Sequence, residues 1–357
     1  MKALILAGGK GTRLRPITYS LAKQLVPVAN KPVIEYGIDA IVAAGIKDIG
    51  IIVIESNSPI EESCGDGSRW GARFTYIVQP DPLGLAHAVV TAKPFLGDDD
   101  FIMYLGDNLI KSSLGDLITE FQEHRPSATV LLTPVPNPSQ FGVAEMENDT
   151  VVRLEEKPKE PRSNLALVGV YLFDKVIHDI IAQLKPSPRG EYEITEAIQG
   201  LIDRKMTVRS HIVTGWWKDT GTVEAMLDAN RLILEDIEPK QFGEVTDSQI
   251  DGRVSIGKGA KVHKSSIRGP AIIGEGCVIS NSYIGPFTAI DKKTTIIDSE
   301  IEHSIVLQDC EIVGVTRMDG CLIGRGARVK QGLQKPACLR LVLGDSRSEE
   351  RRVGKEC

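Results

Sequence analysis

Ala3-Leu4-Ile5-Leu6-Ala7-Gly8-Gly9-Lys10-Gly11-Thr12-Arg13-Leu14 is an apolar run that breaks into three glycines and then into polar and basic residues. An unbroken apolar run of this length reads as a strand buried on both faces of a parallel sheet. The glycines after it let the backbone approach a ligand and turn its N–H groups toward phosphate oxygens. Arg13 adds a bidentate fork, and Lys23, in Lys23-Gln24-Leu25-Val26-Pro27-Val28, adds a point charge nearby. Two other phosphate loops do not fit. A dinucleotide loop lacks its third glycine, because Arg13-Leu14 follows instead, and Gly9-Lys10-Gly11-Thr12 has the letters of a P-loop in the wrong order.

Outward from this stretch, Ile49–Ile54, Thr75–Val78, Phe101–Leu105 and Thr129–Thr133 repeat the strand-like pattern. Between them Ile34, Ile38, Ile41 and Val42 share one helical face, and Leu85–Pro94 and Leu114–His124 also read as helices. Such alternation predicts an α/β fold, a doubly wound, mainly parallel, Rossmann-like sheet. An amphipathic helix from Thr222 to about Ile237 closes it, and Glu238-Pro239 marks the boundary of a domain spanning 1–237.

The following residues obey another period. Ile256, Val262, Ile267, Ile273, Ile279, Ile284, Ile290, Ile296, Ile301, Val306 and Ile312 recur at steps of five or six. Neither a helix nor a simple strand has that spacing; a short-repeat solenoid does, each aliphatic side chain stacking on its counterpart one turn away. The repeat resembles the hexapeptide left-handed parallel β-helix, expected over 238–345. Residues 346–357 are polar and unpatterned, and are expected to be a non-native, disordered tail.

The chain has 357 residues and a formal charge of −6, which excludes a broad nucleic-acid-binding surface but not a phosphorylated ligand. No apolar segment is long enough for a signal-peptide core or a membrane span. Cys64, Cys277, Cys310, Cys321, Cys338 and Cys357 form no CxxC pair and no His cluster joins them, so a zinc site is not expected. Scattered thiols imply a reducing compartment, and a cytoplasmic location is expected.

Gly8–Leu14 with Lys23–Val28 resembles the sugar-phosphate nucleotidylyltransferases, and within them the glucose-1-phosphate thymidylyltransferases. Further matches follow in order: Gly65–Gly71, Gln79-Pro80, Gly84-Leu85-Ala86, Leu105-Gly106-Asp107-Asn108, Glu155-Glu156-Lys157-Pro158, Pro186–Glu191 and Asp219-Thr220-Gly221-Thr222. With its solenoid the chain is similar to the long form of that family. The resemblance implies joining of glucose 1-phosphate to dTTP, giving dTDP-glucose and pyrophosphate. It assigns catalysis to Arg13 and Lys23, and nucleotide binding to Gly8, Gly9, Gly11, Thr12, Gln24, Gln79 and Gly84. The sugar phosphate is expected against Leu85, Phe141, Gly142, Glu156, Lys157, Arg189 and Trp217, and Mg²⁺ on Asp107 and Asp219. The residue types agree: two carboxylates from distant positions suit Mg²⁺, and a Gln amide, with one donor and one acceptor, matches the imide edge of thymine.

Two positions depart from the short enzymes. Phe141 stands where they carry Tyr, and Val168 where they carry Thr, so the sugar side is slightly more apolar. Two alternatives stay open. One is a uridylyltransferase, since uracil has the same imide edge. The other is a bifunctional enzyme whose solenoid transfers acetyl groups, for which His263 and His303 are the only features. A solenoid with exposed ends also implies a homo-oligomer.

Overall fold

A computed structural model gives the architecture of residues 1–330; the expected tail, the last part of the expected solenoid, Cys338 and Cys357 lie outside the described residues. Nine strands form the main sheet. Arg73–Val78, Asp48–Val53, Lys2–Leu6 and Phe101–Leu105 lie side by side and parallel. These are the apolar runs of the sequence, each within two residues of its expected bounds. Leu165–Phe173 then pairs antiparallel with Phe101–Leu105 and with Ala128–Pro134. The hairpin of Gly142–Glu147 and Thr150–Glu156 completes the far edge beyond Val208–Ile212. One half of the sheet is thus wholly parallel, and the other is mixed. Within it Gly142–Glu147 and Thr150–Glu156 are joined by a two-residue turn, a connection open only to an antiparallel pair.

The faces of the sheet explain the continuous apolar runs. In Lys2–Leu6, Ala3 and Ile5 enter one core with the helices Val33–Ala43, Leu114–His124 and Val223–Leu234. Leu4 and Leu6 enter the other, with Leu85–Thr91 and Ile194–Asp203. A side-chain period of two with both faces covered leaves no place for polar alternation.

Between Lys240 and Lys330 the chain winds through three parallel sheets of six, six and five strands, the arrangement of a left-handed β-helix. Ile256, Ile273, Ile290 and Val306 stack in one ladder and Val262, Ile279, Ile296 and Ile312 in the next, all of them buried. Ser265, Ser282 and Ser299 stack at a corner: the first two hydroxyls each accept the N–H of the next serine 17 residues on, and that of Ser299 accepts the N–H of Val315. One side of the solenoid rests on the α/β domain. Ile305 and Leu307 belong to its core, and Leu322 packs against it. Asn30 Nδ2 donates to the carbonyl of Ile290 at 2.7 Å. Asn230, wholly buried in the helix Val223–Leu234, accepts from the N–H of Ala29 and donates to the carbonyl of Phe287, each at 2.9 Å.

Candidate active site

Two parallel strands, Lys2–Leu6 and Phe101–Leu105, end level with one another, Leu6 opposite Leu105. The glycine loop and Asp107 therefore leave the sheet at one carboxyl edge, where open α/β sheets bind ligands. Asp219 arrives on a short strand, Trp217–Asp219, paired antiparallel with Asn108–Ile110. The Thr220 N–H and hydroxyl both donate to the Asp107 carbonyl, at 3.1 and 2.7 Å, and lock the two acidic residues together. Lys23 Nζ is ion-paired with Asp107, and Arg13 Nη2 lies 3.9 Å from Asp219. Burial, then the neighbouring Asp107, pushes the Asp219 carboxyl up, against the pull of Lys23 and Arg13. Asp219 Oδ1 is buried and has no hydrogen-bond partner. Two hard carboxylates, one with an unsatisfied oxygen, fit Mg²⁺. Among the described residues no group of three or more His, Cys, Asp or Glu could hold a metal, so remaining ligands would come from substrate phosphates and water.

Glycines leave room here for the two cations. A Cβ on Gly9 would stand 2.7 Å from Lys23 Cε, and one on Gly221 would stand 2.4 Å from Arg13 Nη2. Gly11 has a φ of 60°, in the left-handed region, and caps the turn Thr12–Leu14 that carries Arg13. Gly8 lies beside Gln79, whose Oε1 would be 3.8 Å from a Cβ there. Gln79 Nε2 donates to the Gly84 carbonyl at 3.3 Å and meets His87 Nδ1 at 2.9 Å, so the donor end expected to face a base is already engaged. Gln24 is buried with Oε1 unpartnered. Gly84, at a φ of 104°, lies against Tyr192; a Cβ would come within 2.5 Å of that residue's carbonyl. The Tyr192 N–H donates to the Leu83 carbonyl at 2.7 Å, and its own carbonyl accepts from Ala86 at 3.1 Å.

A cleft of about 1020 Å³ extends from Arg13, Asp107 and Asp219 to Leu85, Phe141, Gly142, Glu156, Lys157, Arg189 and Trp217. At its far end Arg189 reaches Glu156, Glu191 and Glu193, each at 3.3 Å. Glu156 Oε2 also accepts from Thr195 at 3.1 Å. Burial raises the Glu193 pKa, partly opposed by the Ser187 hydroxyl. Lys157 has a φ of 44° and its N–H donates to the Phe141 carbonyl at 3.0 Å, a left-handed backbone of the kind found at ligand sites. Phe141 meets Trp217 edge-on at 5.5 Å, and Trp217 Nε1 donates to Asn108 Oδ1 at 3.1 Å.

The cleft thus gathers both acids, Arg13 and every residue expected near the sugar phosphate. Lys23, Gly8, Gly9, Gly11, Thr12, Gln24, Gln79 and Gly84 do not line it; Lys23 is linked to it by its ion pair with Asp107, and Gly84 by the next residue, Leu85. Val168 lines the cleft, whereas His263 and His303 lie on the solenoid away from it. Reading the sequence missed His87, Asn108, Thr195 and Tyr192. His87 directly follows the quoted Gly84-Leu85-Ala86, and Asn108 closes the quoted Leu105-Gly106-Asp107-Asn108. Thr195 and Tyr192 carry no local signal, since their role comes from contacts made across the fold.

A model of the Nucleotidyl transferase family matches residues 2–236. The chain is 54% identical over 348 residues to a glucose-1-phosphate thymidylyltransferase of Streptomyces antibioticus, covering 97% of this chain and 98% of that one. It is 46% identical over 352 residues to a low-salt glycan biosynthesis nucleotidyltransferase of Haloferax volcanii, covering 97% and 99%. A crystal structure from Bacillus anthracis, named for glucose-1-phosphate thymidylyltransferase activity, superposes with a TM-score of 0.62 at 38% identity, covering 68% of this chain and 98% of that one. With the glycine loop, the paired acids and the cleft arranged as described, the chain belongs to the nucleotidyl transferase family.

Proposed function

We propose that the chain joins glucose 1-phosphate to dTTP, giving dTDP-glucose and pyrophosphate. The observation that carries this reading is the convergence, along one cleft, of Asp107, Asp219 and Arg13 at one end with Glu156, Lys157 and Arg189 at the other. The names of the relatives over nearly the whole chain support it.

An ionised oxygen of the sugar 1-phosphate attacks the α-phosphorus in line, and pyrophosphate leaves. The nucleophile is already charged, so no general base is needed, and the protein contributes positioning and charge. Arg13, whose side chain is 65% exposed, is free to turn from Asp219 to phosphate oxygens. Lys23 exchanges Asp107 for the nucleotide phosphates. Bound to Asp107 and Asp219, Mg²⁺ would neutralise phosphate charge. Lys157 and Arg189 hold the sugar phosphate against repulsion by the triphosphate, and Glu156 accepts from sugar hydroxyls. Gln79 faces the thymine.

A cytoplasmic enzyme acting as a homo-oligomer completes the proposal; no helix of the described residues is long and apolar enough to cross a membrane. Phe242, 69% exposed on the solenoid, supports association. The test is pyrophosphate release from dTTP, UTP and CTP crossed with glucose 1-phosphate and other hexose 1-phosphates. Highest kcat/KM with dTTP and glucose 1-phosphate is expected; a better pair of another kind overturns the assignment.

A further inference from the structure

Gln79 can read a base only if its amide is held one way round, since a flipped amide presents a donor instead of an acceptor. The Gly84 carbonyl is an acceptor, and Gln79 Nε2 faces it at 3.3 Å. That fixes the nitrogen on the helix side, where its other hydrogen points at His87 Nδ1, 2.9 Å away. Nδ1 must then be unprotonated, with the imidazole proton on Nε2. The His87 ring is itself held by stacking on Tyr192, centroids 6.3 Å apart. Both donors of the Gln79 amide are consumed, and Oε1 is left on the side of Gly8, at the end of the first strand.

We infer that His87 is a specificity-determining, positioning residue: by accepting from Gln79 Nε2 it leaves only a carbonyl for the base. A lone acceptor pairs with the ring N–H of thymine or uracil. Cytosine has a bare ring nitrogen at that position and meets Oε1 as one acceptor against another, an unpaired contact that costs binding. The short bond to His87, more than the long one to Gly84, resists rotation of the amide. Without it the amide is free to present either edge, and the preference against cytosine relaxes. The inference rests on the proposed role of Gln79 at the base.

The experiment compares kcat and KM for dTTP and CTP, with glucose 1-phosphate and Mg²⁺, in the full chain and in His87→Ala, His87→Asn and Gln79→Ala, each checked for an intact melting transition. His87→Ala should raise the KM for dTTP about tenfold, leave kcat within about threefold, and shrink the dTTP-to-CTP ratio of kcat/KM about tenfold. His87→Asn, whose Oδ1 replaces Nδ1 as acceptor, should recover most of that ratio. A ratio within about twofold of the parent in His87→Ala, or an equal loss in His87→Asn, overturns the inference. Gln79→Ala separates the two levels. If it alters neither KM nor the ratio, the base-contact reading itself fails. If it alters both while His87→Ala does not, only the role of His87 fails.

Discussion

The ammonium of Lys23 closes onto the carboxylate of Asp107, although 84 residues separate them in the chain. A cation held by Asp107 would compete with this ion pair, and its separation would free Lys23 for phosphate. Asp107→Asn and Asp219→Asn should each lower turnover by about 100-fold or more while the melting transition survives. Lys23→Ala should lower kcat more than it raises either KM. Pyrophosphate release measured across a Mg²⁺ titration checks all three, and near-parent turnover in either acid variant removes that residue from the metal site.

Trp217 packs edge-on against Phe141 and donates to Asn108, so its ring fixes one wall of the cleft. Trp217→Ala should raise the KM for glucose 1-phosphate about tenfold and that for dTTP by much less. Equal effects on the two constants would place Trp217 outside the sugar end.

Asn230 joins the turn after Lys23-Gln24 to the solenoid by bonding Ala29 on one side and Phe287 on the other. Asn230→Ala leaves the N–H of Ala29 and the carbonyl of Phe287, both half-buried, without this partner, at a cost of about 1–3 kcal/mol. Urea unfolding should show that loss, and kcat should fall with it because the tethered segment carries Lys23. A variant with parent stability would mean that water replaces the lost bonds.

Asp291 gives a pH-dependent test within the solenoid. Burial pushes its carboxyl above the ordinary range, opposed chiefly by the Lys292 N–H, which donates to it at 2.7 Å. The folded state therefore holds its proton at pH values where the unfolded chain has lost it, and stability falls as pH rises through that interval. The penalty is complete above the raised pKa and absent below the ordinary value of about 3.9. Asp291→Asn keeps an acceptor for Lys292 and should melt a few degrees higher at neutral pH. That advantage should disappear at about pH 3; an advantage of the same size at both would rule out titration as its source.

The parallel half of the sheet and the ladders of the β-helix were legible because each strand repeats one physical requirement, burial on both faces or an inward aliphatic side chain every five or six residues. The glycine loop was legible for a similar reason, since residues 8–14 act together. The antiparallel half was less so, because Gly142–Glu147 and Thr150–Glu156 mix polar and apolar residues at the sheet edge, and the apolar run of Leu165–Phe173 carries no sign of its direction. The engagement of Gln79 by His87 was equally hidden. Sequence shows which donors and acceptors a side chain owns, but its neighbours decide which of them remain available.

Tyr192 bonds through its backbone to both Leu83 and Ala86, while Arg189 lies three residues before it and Gly84 lies between its two partners. In the proposed function, the segment that would face the nucleotide and the segment that would clamp the sugar phosphate are therefore two parts of one hydrogen-bonded unit. A ligand that orders one part lowers the entropic cost of ordering the other. Affinities linked in this way are reciprocal: whatever factor dTTP adds to the binding of the sugar phosphate, the sugar phosphate returns to dTTP.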